Sequence, residues 1–256
     1  MEIIIVDTPA EVAAIAADFI GDHANRGGNI GVATGSTPLA TYQELIRRYQ
    51  AGQVSFRDSS FFALDEYVGL PYEHEQSYHS VIYNEFSNHV DVDPDRVHIP
   101  AGMAADLEAA CRDYERAIDG AGGIAIQLLG IGTNGHIGFN EPSSSLQSLT
   151  RVKTLHPQTV ADNARFFDSA EQVPVHVLTQ GLGTISRAGQ LLLLATGEAK
   201  ARAIAATVEG PLTAAVPASV LQLHPKATVV IDREAASLLE HADYYEFVYA
   251  NKSGRG

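Results

Sequence analysis

Apolar runs bounded by turn residues alternate along this chain with stretches whose apolar positions recur at helical spacing. Glu2 to Val6 reads as a first strand, and Thr8-Pro9-Ala10-Glu11 as a helix start: a Thr N-cap, Pro at the first helical position and Glu three residues after the cap. Val12, Ile15, Ala16 and Phe19 carry that helix on, and the turn Arg26-Gly27-Gly28 leads to a second strand, Asn29 to Ala33. A helix from about Leu39 to Tyr49 and a third strand, Ser60 to Leu64, follow. Gln76 to His89 places Tyr78, Val81, Ile82 and Phe86 on one helical side. The turn Asp91 to Asp95 leads to a helix over Ala105 to Ile118, and Ile124 to Leu129 reads as a buried strand. In the second half, strands are expected at Arg151 to Leu155, Val175 to Leu178, Gln190 to Ala195 and Thr228 to Ile231. Helices are expected at Gln158 to Arg165, from Thr196-Gly197 to about Val208, at Pro217 to Leu223 and at Arg233 to Glu240. Gly181 to Thr184 is a turn or helix start, and the tail 250–256 is expected to fray.

This alternation with short connections predicts an α/β fold with a mostly parallel, Rossmann-like sheet and helices on both faces. Length allows one large domain or two small ones, but no linker, repeat or low-complexity segment divides residues 1–256, so a single domain is expected. A net charge of -14 argues against nucleic acid and anionic membrane as partners, and any anionic ligand must find its positive groups locally. One cysteine, Cys111, excludes an intramolecular disulfide and any multi-cysteine metal site. The first residues are too short and too little basic for a secretory signal, and no run reaches membrane-spanning length, so a cytoplasmic protein is expected.

The strongest candidate for chemistry is the stretch from Leu129 to Pro142. Glycines at 130, 132, 135 and 138 bring the backbone close to whatever binds there, and His136 and Glu141 lie within the same loop. The plain alternative is a strand-to-helix connection with one solvated histidine. Thr34-Gly35-Ser36-Thr37-Pro38 leaves the second strand for a helix N-terminus, which suits either a phosphate or simple N-capping. Asp65-Glu66 follows the third strand; two adjacent carboxylates there serve a ligand, cap a helix or face solvent in a turn. Lys200 opposes the dipole of its helix, which favours an anionic ligand nearby. A parallel sheet sends all four features to one edge, and together they suit a small sugar phosphate undergoing proton transfer.

Several of these runs resemble the glucosamine-6-phosphate deaminase family. The resemblance lies in Thr34 to Pro38, Leu64 to Pro71, the His136 loop through Asn140-Glu141-Pro142, Val208-Glu209-Gly210 and Leu221 to Pro225, and it covers nearly the whole chain. It implies conversion of glucosamine 6-phosphate and water into fructose 6-phosphate and ammonia, with neither metal nor organic cofactor. By the same resemblance Asp65 is the base at C2, His136 opens the ring, and Glu141 holds His136 in one tautomer. Gly35, Ser36, Thr37, Arg165 and Lys200 match the substrate-phosphate contacts, and the helix carrying Arg165 matches a lid. Ser145, Arg151 and Lys153 match positions that allosteric members use for the activator N-acetylglucosamine 6-phosphate; the alternative is a solvated basic strand. Members include monomers and hexamers, so the resemblance leaves monomer or homo-oligomer open. Asn134 departs from well-known members, which carry Asp there; with one negative charge fewer, His136 is expected to give up its proton more readily than theirs. Two rival readings share the fold. A 6-phosphogluconolactonase needs no base at C2, which the Asp65 block argues against; a sugar-phosphate sensor in a transcription regulator needs an attached DNA-binding segment and a basic face, which a chain starting at the first strand with charge -14 is expected to lack.

Overall fold

A computed structural model describes residues 1–167 and 169–252. Its ten strands are β1 (Glu2–Val6), β2 (Ile30–Val32), β3 (Phe61–Ala63), β4 (Asp65–Tyr67), β5 (Val97–His98), β6 (Ile126–Leu129), β7 (Arg151–Thr154), β8 (His176–Thr179), β9 (Leu191–Ala195) and β10 (Ala227–Asp232). Its α-helices are α1 (Pro9–Ala24), α2 (Ser36–Gln50), α3 (Tyr78–Glu85), α4 (Leu107–Gly120), α5 (Pro157–Asn163), α6 (Leu182–Ser186), α7 (Ala201–Val208) and α8 (Ala242–Ala250).

Local signals start α1 where expected. Thr8 and Glu11 form a reciprocal capping box at α1, with Thr8 N–H donating to Glu11 Oε2 at 2.9 Å and Glu11 N–H to Thr8 Oγ1 at 3.2 Å. Seven strands form one all-parallel sheet in the order β1-β10-β9-β6-β2-β3-β5. Its register pairs Leu128 with Leu192 and Ile3 with Val229. Every residue of β9 and β10 is buried, because a parallel sheet is covered on both faces.

Topology then fixes where a ligand fits. From β2 the chain steps outward to β3 and β5, returns to β6, and steps the other way through β9 and β10 to reach β1. The direction reverses between β2 and β6, so the loops leaving their C-terminal ends diverge and open a crevice. Thr34–Thr37 leaves β2 and the His136 loop leaves β6, which puts both candidate stretches at that crevice.

The structure corrects several expectations. Asp65-Glu66-Tyr67 is neither strand-three end nor surface turn: it forms β4 of a separate antiparallel sheet, β4-β8-β7, pairing Asp65 with Thr179 and Tyr67 with Val177. The two short strands expected around the Arg165 helix belong to that sheet too. Arg233 to Glu240 is a series of turns, in which Asp232 Oδ1 accepts from Ala235 N at 2.8 Å and Leu239 N–H donates to Ala236 O at 2.9 Å. The last helix is α8, which the sequence reading missed; the Glu209 carboxylate receives the N–H groups of Glu240 and His241 at 2.8 and 2.9 Å just before it starts. Pro217–Leu223 is a 3₁₀-helix. Of the tail expected to fray, residues 253–256 lie outside the described residues, whereas Ala250 closes α8 and Lys252 Nζ donates to Glu2 at 2.8 Å.

Candidate active site

At the crevice lies a cavity of about 450 Å³ whose wall contains Gly35, Ser36, Thr37, Asp65, His136, Arg165 and Lys200. All five residues expected at a phosphate, the expected base and the expected imidazole therefore meet in one place. Asn134 and Glu141 are not in that wall; they stand behind His136, with Asn134 bonded to both the imidazole and Glu141. Ser145, Arg151 and Lys153 lie outside the cavity, on β7 and the segment leading to it.

Asp65 owes its position to strand alternation. Successive β4 side chains point to opposite faces, so Asp65 and Tyr67 enter the cavity wall while Glu66 points away. Asp65 is 6 % exposed, and burial first, then the charge of Glu66, push its carboxyl well above the usual carboxylate range. Glu66 is fully buried and accepts from the backbone N–H groups of Tyr67, Tyr78 and His79 at 2.8, 3.0 and 2.9 Å, which ties β4 to the start of α3. Burial raises its carboxyl too, against those three bonds. Glu66 thus anchors structure, and the sequence held no signal for it beyond its opposite parity to Asp65.

The His136 loop folds back on itself. A Cβ at Gly132 would lie closer than 3.0 Å to three atoms of the His136 ring, so only glycine leaves room for the imidazole. Asn134 Nδ2 donates to Glu141 Oε2 at 2.7 Å, and Asn134 Oδ1 lies 2.8 Å from His136 Nδ1. An ionised carboxylate only accepts, so the Asn134 amide must turn its NH₂ to Glu141 and its oxygen to His136. In the neutral ring, His136 Nδ1 therefore carries the proton and Nε2 is the acceptor. Glu141 Oε2 stands 3.5 Å from Nδ1, within ion-pair reach, and is also linked to the ring through Asn134. Burial pushes the Glu141 carboxyl up, but bonds from His136, Thr159 and Asn134 outweigh it and hold it at about 2.

The other end of the cavity is electropositive by construction. Gly35, at φ +111°, turns the chain into α2 without any side-chain cap, and no acidic residue occupies the first turn. The helix start thus lines the cavity with no side-chain acceptor on its first N–H groups, as an anion site requires. Lys200 Nζ reaches across to Ile131 O at 2.7 Å. Arg165 sits in a 3₁₀ turn (Ala164–Phe166) beyond α5, its guanidinium 4.7 Å from the Phe166 ring centroid. An aromatic side of the cavity, Tyr67 with Tyr78 at 4.8 Å and Phe167 at 5.8 Å between ring centroids, was not foreseen. Nor were Thr159 and Asn163 of α5, which donate to Glu141 Oε1 at 2.5 Å and to the Tyr67 hydroxyl at 2.9 Å. Their spacing of four residues was the available signal. Among the described residues no group of His, Cys, Asp and Glu side chains is placed to hold a metal ion, and no helix is long and apolar enough to cross a membrane.

Comparison with known proteins agrees with this geometry. The profile of the glucosamine-6-phosphate isomerases/6-phosphogluconolactonase family matches residues 5–230. A glucosamine-6-phosphate deaminase of Corynebacterium urealyticum is 62% identical over 252 residues, covering 98% of each chain. One of Rhodococcus jostii is 56% identical over 253 residues, again covering 98% of each. Among solved structures, a monomeric glucosamine-6-phosphate deaminase superposes with a TM-score of 0.91 at 46% identity, covering 93% of this chain and all (100%) of that one. A 6-phosphogluconolactonase from Trypanosoma cruzi shares the fold at a TM-score of 0.76 and 21% identity, covering 93% of this chain and 97% of that one. With the profile spanning most of its length and relatives above half identity along nearly all of it, the chain belongs to the glucosamine-6-phosphate isomerase/6-phosphogluconolactonase family.

Proposed function

We propose that this protein is a glucosamine-6-phosphate deaminase, converting glucosamine 6-phosphate and water into fructose 6-phosphate and ammonia. One observation carries the reading: a buried carboxyl and an imidazole held by Asn134 share a cavity with an uncapped helix N-terminus. The uncapped start of α2, Arg165 and Lys200 bind the phosphate. His136 Nε2 moves a proton between ring and anomeric oxygens, which opens the sugar to its aldehyde. Asp65 then takes the C2 proton, giving an enolamine, and returns it to C1, leaving an iminium at C2. Water adds at C2 and ammonia leaves, giving the ketone. Burial suits Asp65 to this shuttle, since raising the carboxyl makes its carboxylate a stronger base toward the C2 proton. Lactone hydrolysis uses no base at C2, and the lactonase resemblance, at 21% identity, extends to the fold. A charged sugar phosphate does not cross a membrane unaided, which supports a cytoplasmic setting.

The reading extends to Ser145, Arg151 and Lys153 as contacts for N-acetylglucosamine 6-phosphate. Supporting it, Arg151 is half-buried and no carboxylate pairs with it among the described residues. Titrating activity with that compound, alongside light scattering for oligomeric state, decides this extension. The main test is ammonia release from glucosamine 6-phosphate by wild type and Asp65→Asn. Release by wild type and loss in the variant supports the assignment; hydrolysis of 6-phosphogluconolactone without ammonia release overturns it.

A further inference from the structure

Thr159 and Asn163 lie four residues apart on α5, hence on one helical face, and both contribute to the cavity wall. Each clasps something different. Asn163 holds the Tyr67 hydroxyl at 2.9 Å, whereas Thr159, itself 6 % exposed, donates to Glu141 Oε1 at 2.5 Å. That second bond completes a chain whose donors all point toward the Glu141 carboxylate. Thr159 occupies Oε1 of the carboxylate, Asn134 Nδ2 occupies Oε2 at 2.7 Å, and Asn134 Oδ1 receives His136 Nδ1–H at 2.8 Å. The titratable group facing Glu141 is His136, at 3.5 Å; α5 brings a hydroxyl and position 134 an amide.

We propose that Thr159 is a positioning residue for His136: seating α5 fixes the Glu141 carboxylate, which fixes the Asn134 amide, which fixes the Nδ1–H tautomer. Without the hydroxyl, Oε1 loses its donor and the carboxylate turns about a broad terminal torsion. The Asn134 amide then loses its fixed acceptor, and the His136 backbone N–H, 3.1 Å from Oδ1, is left as the bond that opposes a flip. A flipped amide presents NH₂ to Nδ1 and selects the opposite tautomer, in which Nε2 carries the proton and cannot accept another. Asn163 seats the same helix face but touches no member of this chain, so the two residues separate the seating of α5 from the orientation of the imidazole.

The test labels histidine rings with ¹³C and reads the Cδ2 shift of His136, assigned by His136→Gln, at a pH where the ring is neutral. Wild type, Thr159→Ser and Asn163→Leu are expected to show the Nδ1–H tautomer, and the near-isosteric Thr159→Val a mixture. In ammonia release, Thr159→Val is expected to lose roughly tenfold in kcat, the scale of one hydrogen bond to a charged group, with KM little changed. Thr159→Ser recovers kcat, and the loss in Asn163→Leu falls on KM. Retention of the Nδ1–H tautomer in folded Thr159→Val overturns the proposal. The kinetic arm rests on the deaminase reading; the tautomer arm does not. A tautomer shift in a protein that releases no ammonia would sink that reading and leave the positioning role standing.

Discussion

Gly132→Ala isolates the imidazole with one methyl group. Gly132 is not among the glycines of positive φ, so alanine meets no backbone strain there. The added Cβ would come within 3.0 Å of Cε1, Nδ1 and Nε2 of His136, whereas unstrained carbon contacts lie at about 3.5–4.0 Å. The ring must therefore retreat by about 1 Å. Its side chain is 20% exposed, so it has somewhere to go, and the cost to stability should stay near the lower end of overpacking, about 1 kcal/mol. Activity should suffer far more, because a misplacement of about 1 Å at a proton-transferring group costs on the order of 100-fold. The assay is kcat for ammonia release beside a thermal melt. A Tm within a few degrees of wild type with kcat down about 100-fold is expected. Wild-type kcat in a folded Gly132→Ala protein would refute the reasoning, since either the ring is not held where the loop places it or it carries no proton.

Other outcomes follow from the same geometry. Asp65→Asn should lower kcat by about 10²–10⁴ while raising Tm at neutral pH. The sign follows from its raised folded-state carboxyl: the unfolded chain releases that proton first, so stability falls as pH rises from the usual carboxylate range toward the folded value, and asparagine removes the penalty. Glu141 has the opposite sign. Held at about 2 against 4.5, it stabilises the fold above the unfolded value and loses that contribution, roughly 3 kcal/mol at most, as pH falls from about 5 to 2. Denaturant titrations across that range should show a shallower acid-side decline in Glu141→Gln, and parallel declines would contradict it. Arg165→Ala should raise KM by roughly 10- to 100-fold with kcat near wild type; an unchanged KM would remove Arg165 from the phosphate site.

Which features were legible in the sequence depends on the distance over which each is decided. The cap of α1, the glycine spacing of the His136 loop and the uninterrupted apolar runs of β9 and β10 are local or periodic facts, and each folds as read. Alternation of strands and helices implied a parallel sheet, and a parallel sheet gathers strand ends on one edge, so Thr34–Thr37, the His136 loop and Lys200 could be placed together before any coordinates. Tertiary structure decided the rest. Asp65 lies in β4 because Leu178 and Thr179, distant in sequence, offer it a free strand edge, and no local pattern announces that pairing. Glu209 meets the backbone ahead of α8 across 31 residues, so a short-range reading placed the last helix too early. The partners of His136 were legible as residues, Glu141 and Asn134, but not as an arrangement: packing set the Asn134 amide between ring and carboxylate and brought Thr159 from α5 to the far oxygen. Propensity and period act over a few residues, but a hydrogen-bond chain is closed by whichever side chains the fold brings within about 3 Å, and that only the folded chain determines.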